Sequence, residues 1–255
     1  MKILLSLTLG YISFLAGQSL VIAKPVPVNS PVNQPKKVSF NPPAPPATEP
    51  PPGGRVRGGA RRNPCPAAKP PLTALVPYTE GPPTVINVWG LTAEAHPTLM
   101  FYMPYPQSTA YPTEFVLQDQ QSNTIYQKAI ALPEKPGIIS VPVPDNIPLE
   151  VNKRYRWFLT VDCDPQQDSA PTYVEGVIKR VTLDEKVTQE LATATPLQRF
   201  DIYLRNGIWH EALKTISQLR QENPKNQAIQ EKWLSLLTSI RLDDVASQPL
   251  LSQKP

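Results

Sequence analysis

Two cysteines, two histidines and eleven glycines are spread over 255 residues, and these shortages set the first limits on what the chain can do. No G-x-S-x-G, H-E-x-x-H, G-x-x-x-x-G-K or C-x-x-C pattern occurs. Serine-hydrolase, zinc-protease, nucleotide-binding and dithiol-redox readings therefore lack their minimum parts, and no catalytic residue, cofactor or resident metal is expected. Beyond the first two dozen residues no apolar run is long enough to span a bilayer. Helical periodicity is missing from Leu72 to Leu183, which removes the crossover helices that a parallel sheet needs. Acids are scarce at the start: through Asn63 there are eight Lys or Arg and one acid, and beyond it 17 basic against 20 acidic residues. The basic character of the chain belongs to its first quarter and is no sign of a nucleic-acid-binding fold.

What is present begins with "MKILLSLTLGYISFLAGQSLVIAKP", one lysine, a mostly apolar run and small residues at its end. This pattern predicts an export signal over 1–23; the alternative, a retained anchor, is disfavoured by Ser6, Thr8, Ser13, Gln18 and Ser19 inside the run. The mature chain is then expected in an oxidising, extracytoplasmic space, periplasmic or secreted, with no remaining membrane span. From Lys24 to Pro71 there are 15 prolines in 48 residues, with little apolar bulk between them to offset ordering entropy, which predicts a disordered tether over 24–71. Its end, "GGRVRGGARR", offers Arg55, Arg57, Arg61 and Arg62 as a candidate anion grip. Anionic polysaccharide is a conceivable ligand and export makes nucleic acid the least fitting one; a plain solvated linker is the alternative.

Between Leu72 and Leu183 short β-branched and aromatic runs alternate with Pro, Gly, Asn and Asp, which predicts a mainly β domain over 72–183, an antiparallel immunoglobulin- or fibronectin-like sandwich of about seven strands. In "RYRWFLTVDC", Tyr155, Trp157, Leu159 and Val161 share one face and belong in the core. Leu149 followed by Tyr155 is similar to the Leu-to-Tyr corner of such domains, where the tyrosine hydroxyl bonds back to the chain. Cys65 and Cys163 fall just before the first strand and just after a late one. A disulfide between them is preferred over free thiols, and its loop of about 98 residues implies on the order of 4 kcal/mol of stabilisation by the chain-entropy estimate.

From 184 to 242 the period turns helical, with "TPLQRFDIYLRNG", "IWHEALKTISQLRQENP" and "NQAIQEKWLSLLTSIRL" broken at Gly207 and Pro224. Tyr203, Gly207, Ala212 and Pro224 are similar in spacing to one tetratricopeptide repeat, although Arg199 and Phe200 occupy its usual Leu and Gly positions. On the helix begun at Ile208, the stripe of Trp209, Ala212, Leu213, Ile216 and Leu219 is expected to be buried. His210, Glu211 and Lys214 are then expected at the surface, as a candidate partner-binding face rather than a catalytic dyad, because consecutive helical positions diverge by about 100°. Residues 243–255 are expected to form a disordered tail.

The stretches "RGGARRNPC", "LTALVP", "HPTLMFYMP", "LEVNKRYRWFLTVDCD", "EGVIKRV" and "YLRNGIWHEALKTISQLRQENP" followed by "WLSLL" resemble the cyanobacterial domain of unknown function 928 family over about Arg57 to Leu242. The resemblance implies an exported envelope protein and supplies no catalytic residues.

Asp162, Asp164 and Asp168 cluster as a calcium site would but lack the glycine and terminal glutamate of an EF-hand loop. Tyr102, Tyr105 and Tyr111, near Trp89, are candidates for stacking on sugar rings. Glu114 and Glu175 are acids whose separation, on which a glycosidase pair depends, a sequence does not give. The resulting expectation is a non-enzymatic envelope interaction or assembly protein that docks an envelope protein through its helices or sandwich, with a glycan-binding module as the first alternative and an unrecognised envelope enzyme as the second.

Overall fold

A computed structural model describes residues 38–59, 65–81, 85–166 and 169–251. The expected export signal, the first part of the expected tether, Arg61, Arg62, Asp168 and residues 252–255 lie outside them. Nine strands are found among the described residues: β1 (Thr73–Ala74), β2 (Tyr78–Gly81), β3 (Val85–Thr92), β4 (Thr98–Met103), β5 (Thr113–Gln118), β6 (Thr124–Ala129), β7 (Gly137–Pro142), β8 (Arg154–Val161) and β9 (Thr172–Arg180). They form a three-stranded sheet, β1-β4-β7, and a six-stranded sheet, β2-β3-β9-β8-β5-β6. Pairing is antiparallel except between β3 and β9, which run parallel with Trp89 opposite Val177. This corrects the wholly antiparallel expectation. A parallel pair needs a long connection, and here the intervening strands β4 to β8 supply it in place of a crossover helix.

The strand β8 alternates as its sequence dictates: Tyr155, Trp157, Leu159 and Val161 are buried and the residues between them half-buried. Phe101 of β4 meets Trp157 edge-on at 5.5 Å and Phe115 of β5 at 6.3 Å, so rings from both sheets share one apolar core. Leu149 is fully buried, and the Tyr155 hydroxyl accepts the backbone N–H of Glu150 at 2.9 Å. The Cys65–Cys163 disulfide is formed.

Helices follow as α1 (Glu185–Thr193), α2 (Pro196–Arg205), α3 (Trp209–Glu222), α4 (Gln227–Ser239) and α5 (Asp243–Ala246). A capping box starts α2: Thr195 Oγ1 accepts from Gln198 N–H while the Gln198 side chain accepts from Thr195 N–H, and Pro196 takes the first helical position. Gly207, at φ +73°, makes the turn into α3 that a residue with a Cβ would resist. The helices are no appendage, because α3 touches β3 and β4 as well as α2 and α4. Trp209 is fully buried and donates its indole N–H to the Leu75 carbonyl at 2.9 Å.

Two expectations of disorder are corrected. Residues 38–59 of the expected tether lie on the folded body, with Phe40 and Val56 buried. Of the expected tail, Val245 and Ala246 are buried, and Leu250 forms a parallel bridge to Ile138 on β7. A polar or proline-rich stretch orders where a neighbouring element supplies the burial and donors that its own sequence lacks.

Candidate functional site

The sequence "WHEA" places Trp209, His210 and Glu211 on consecutive positions of α3, and all three are buried. The expected exposure of His210 and Glu211 is therefore corrected: each is 2% exposed. The physical reason is that sheet strands cover one side of α3 and helices another, so its buried surface is wider than a single amphipathic stripe. Glu211 Oε1 accepts from the Thr92 hydroxyl and from the N–H groups of Ala93 and Glu94, both at 3.2 Å. Its Oε2 is buried with no hydrogen-bond partner among the described residues. Burial pushes the Glu211 carboxyl above the usual range, against the lowering effect of the Thr92 bond, and the Glu94 carboxylate adds to the rise.

Neither ring nitrogen of His210 has a hydrogen-bond partner among the described residues. Burial holds its pKa down, lowered to about 4, and a nearby backbone group of Thr98 only partly opposes that. The ring presses on β3, where a Cβ at Gly90 would sit 2.8 Å from His210 Nε2. With substrate access closed, this constellation welds a helix to a sheet. Lys214 is the one member of the expected partner face that stays half-exposed, and it pairs with Glu94 at 2.9 Å.

The tyrosine candidates fare similarly. Tyr102 and Tyr105 are 4% and 7% exposed, and Tyr105 meets the half-buried Tyr111 edge-on at 5.7 Å. Burial raises both Tyr102 and Tyr105 hydroxyls above their ordinary pKa. Their expected role as a sugar-stacking platform is corrected, because both rings are buried, Tyr102 on the middle strand of its sheet and Tyr105 against Tyr111. Glu114 accepts from the Gln127 amide at 2.7 Å and Glu175 pairs with Arg156 at 3.5 Å. Asp162 Oδ1 accepts the N–H of Asp164.

Of the candidate anion grip, Arg55 lies over the Tyr173 ring at 4.6 Å, and its backbone N–H and carbonyl both pair with Glu175 at 2.9 Å. Arg57 forks onto Asp244 at 2.7 and 2.8 Å. Both guanidinium groups are engaged within the fold.

That engagement belongs to a longer run of contacts between residues 38–59 and the folded body, which sequence reasoning missed. Residues 38–59 cross the outer face of the six-stranded sheet and reach the helices as a strap. Proline supplies a carbonyl but no N–H, so the proline positions of the segment can only accept, and their donors must come from whatever they lie on. Here Trp89 Nε1 donates to Pro43 O at 3.0 Å, Arg154 Nη1 to Pro50 O at 2.8 Å and Arg156 Nη2 to Pro52 O at 2.7 Å. Glu49 sits between Lys179 at 2.5 Å and Arg154 at 3.3 Å. Farther along, the Phe40 ring packs on Trp209 with centroids 4.9 Å apart, and Val38 exchanges two hydrogen bonds with Ser235. The available signal was faint: two isolated large apolar residues, Phe40 and Val56, in a field of prolines, and two arginines on the outer face of β8.

A groove of about 620 Å³ lies beside β6, with walls including Ile130, Leu132, Ile139 and Leu251 and with Lys128 and Lys135 on its border. Among the described residues β6 pairs only with β5, yet this edge is interrupted by a bulge at Leu117/Gln118 and carries Lys128 opposite the core residue Phe115. Both features oppose the addition of another strand.

The sequence matches the model of a family described as Domain of Unknown Function (DUF928) over residues 57–250. Most of the strap precedes the matched span. No curated protein matches the chain, and no solved structure does.

Proposed function

Because the chain belongs to the DUF928 family, whose description names no activity, we propose a function from the geometry: a non-enzymatic interaction or assembly protein of the cell envelope that works by holding extended polypeptide. The observation that carries this reading is the strap. Side chains on three adjacent strands, Trp89 on β3, Lys179 on β9 and Arg154 and Arg156 on β8, converge on the carbonyls and the single acid of a proline-rich segment. Aromatic and guanidinium donors reading a preformed extended backbone are a recurring mode of peptide recognition. The Cys65–Cys163 disulfide supports an oxidising compartment, and the apolar start of the sequence supports export. The two-sheet body is read as an immunoglobulin-like sandwich and α2 to α4 as a tetratricopeptide-like segment fused to it. An envelope protein is the partner this surface favours over polysaccharide, since Arg55 and Arg57 are already spent inside the fold.

The test is affinity capture from crosslinked native cells, with the mature chain beside an Arg154→Ala/Arg156→Ala variant and crosslinked peptides located by mass spectrometry. A partner crosslinked to the β8–β9 face and depleted at least tenfold by the double substitution is the expected result. Equal recovery of the same proteins by both chains would remove this surface from the docking role.

A further inference from the structure

The strap divides into two stretches held by different physics, and the division falls at Gly53-Gly54. On the C-terminal side the backbone is laddered into the body. Arg55 bridges Glu175, Arg57 bridges Thr73, Val56 O accepts from Ala74 N–H and Gly58 N–H donates to Leu72 O. On the N-terminal side, Val38–Pro52, no residue forms a strand bridge to the sheets. That stretch is held by side-chain bonds at Val38, Phe40, Pro43, Glu49, Pro50 and Pro52, and by one buried aromatic ring, Phe40. Gly53 and Gly54 have φ of +62° and +125°, and a Cβ at Gly53 would meet nothing within 4 Å. Gly53 is pinned to β3, its carbonyl accepting Val88 N–H at 2.9 Å and its N–H donating to Asn87 Oδ1 at 3.2 Å, and Gly54 packs against Glu175 and Val88, so the ladder ends at this junction and the side-chain-held stretch begins at Pro52.

We infer that residues 38–52 exchange between two copies of the chain, the proline-rich stretch of one seating on the β3–β9–β8 face of the other. This inference rests on the docking reading above and commits it to one occupant. The complementarity is intrinsic to the chain, because the stretch that satisfies Trp89, Arg154, Arg156 and Lys179 is its own. Every bond it makes is side-chain-directed and indifferent to which copy supplies the carbonyl. Charge fixes the register: Glu49 is the single acid before Asn63 and meets the Lys179–Arg154 pair. Swapping an identical element in this way replaces each lost contact with the same contact in the neighbour, so the exchange costs little beyond association. The intact strap competes in its own molecule at an effective concentration of roughly millimolar, so exchange grows as protein concentration approaches that range.

The Glu49–Lys179 ion pair gives a direct readout. A water-soluble carbodiimide condenses the Glu49 carboxylate with the Lys179 amine to an amide, with net loss of water to the carbodiimide, which becomes a urea. Equal amounts of unlabelled and ¹⁵N-labelled mature chain are mixed, incubated across protein concentrations up to about 1 mM, the cis competitor's range, and crosslinked. The Glu49–Lys179 peptide is then read by mass spectrometry, with Glu49→Gln as the chain that forms no such product. Mixed-label crosslinks that rise with concentration, toward half of all Glu49–Lys179 product at full exchange, are the expected result. Same-label product alone at every concentration overturns the exchange, and absence of any Glu49–Lys179 product overturns the contact on which it depends. Partner capture by the β8–β9 face without mixed-label product would leave the docking reading standing while removing the exchange.

Discussion

The strap and helix α3 both lie against the sheets, yet they are attached in opposite ways. Helix α3 brings seven buried residues, among them Trp209, Ala212, Leu213 and Ile216, and is covered from more than one side. The strap residues 38–52 bring one buried aromatic ring and a row of carbonyls. Apolar burial scales with area removed from water and cannot be removed without leaving a cavity, whereas an accepted hydrogen bond is readily traded for one to water. The difference separates what the fold requires from what it holds. It also means that removing the helices to test their role in binding would uncover the sheet core, so point substitutions are the sharper tools.

The comparison predicts a ranking of effects. Trp209→Ala should cost about 3–5 kcal/mol in urea unfolding, the range for large buried aromatics, and should loosen the strap as well, since Phe40 rests on that ring. A cost below about 1 kcal/mol, the range of a surface change, would put α3 and the strap on the same footing.

Acid should come next. His210 stays neutral in the folded chain down to about 4, while an unfolded histidine takes its proton near 6.5. The stability it contributes is complete above about pH 6.5 and drains away as pH falls to about 4, a loss of about 3 kcal/mol. The Glu211 carboxyl, raised by burial, contributes in the opposite sense. Its share is full below the unfolded value of 4.5 and is lost as pH rises through its folded value. Unfolding midpoints measured from pH 4 to 8 should show His210→Gln flattening the acid side and Glu211→Gln flattening the other. An unchanged acid slope in His210→Gln would place the sensitivity elsewhere.

Gly90→Ala should cost about 1–2 kcal/mol by pressing a methyl group into the buried imidazole, with thermal unfolding as the measure. Arg156→Ala should be the mildest globally, about 1 kcal/mol or less for a half-exposed charged donor. Its effect should concentrate in the strap, seen as faster limited proteolysis of residues 38–52 with an unchanged unfolding midpoint of the body.

Several features were legible in the sequence because local physics decides them. Thr195, Pro196 and Gln198 announce the start of α2, Gly207 its turn, and the alternation in "RYRWFLTV" the core face of β8. The two cysteines, one before the first strand and one just after β8, announced their own bridge. What was not legible depends on residues far apart. Pro50 and Pro52 find their donors on Arg154 and Arg156, 104 positions away, and no count of prolines reports that. His210 and Glu211 read as solvated because an amphipathic stripe assumes one covered side, and it is β3 and β4, joined to α3 through the tertiary fold alone, that cover another. Tyr102 and Tyr105 failed as a binding platform because tertiary packing buries both, which a local pattern does not report.

All four tryptophans of the chain, Trp89, Trp157, Trp209 and Trp233, are buried, and this gives the molecule a built-in optical label. Three lie within the body, but Trp89 gives its indole N–H to the strap at Pro43. Release of the strap would wet Trp89 and leave Trp157 and Trp233 dark to aqueous quenchers, so partial quenching with a modest red shift reports the arm alone, and full quenching reports the collapse of the whole.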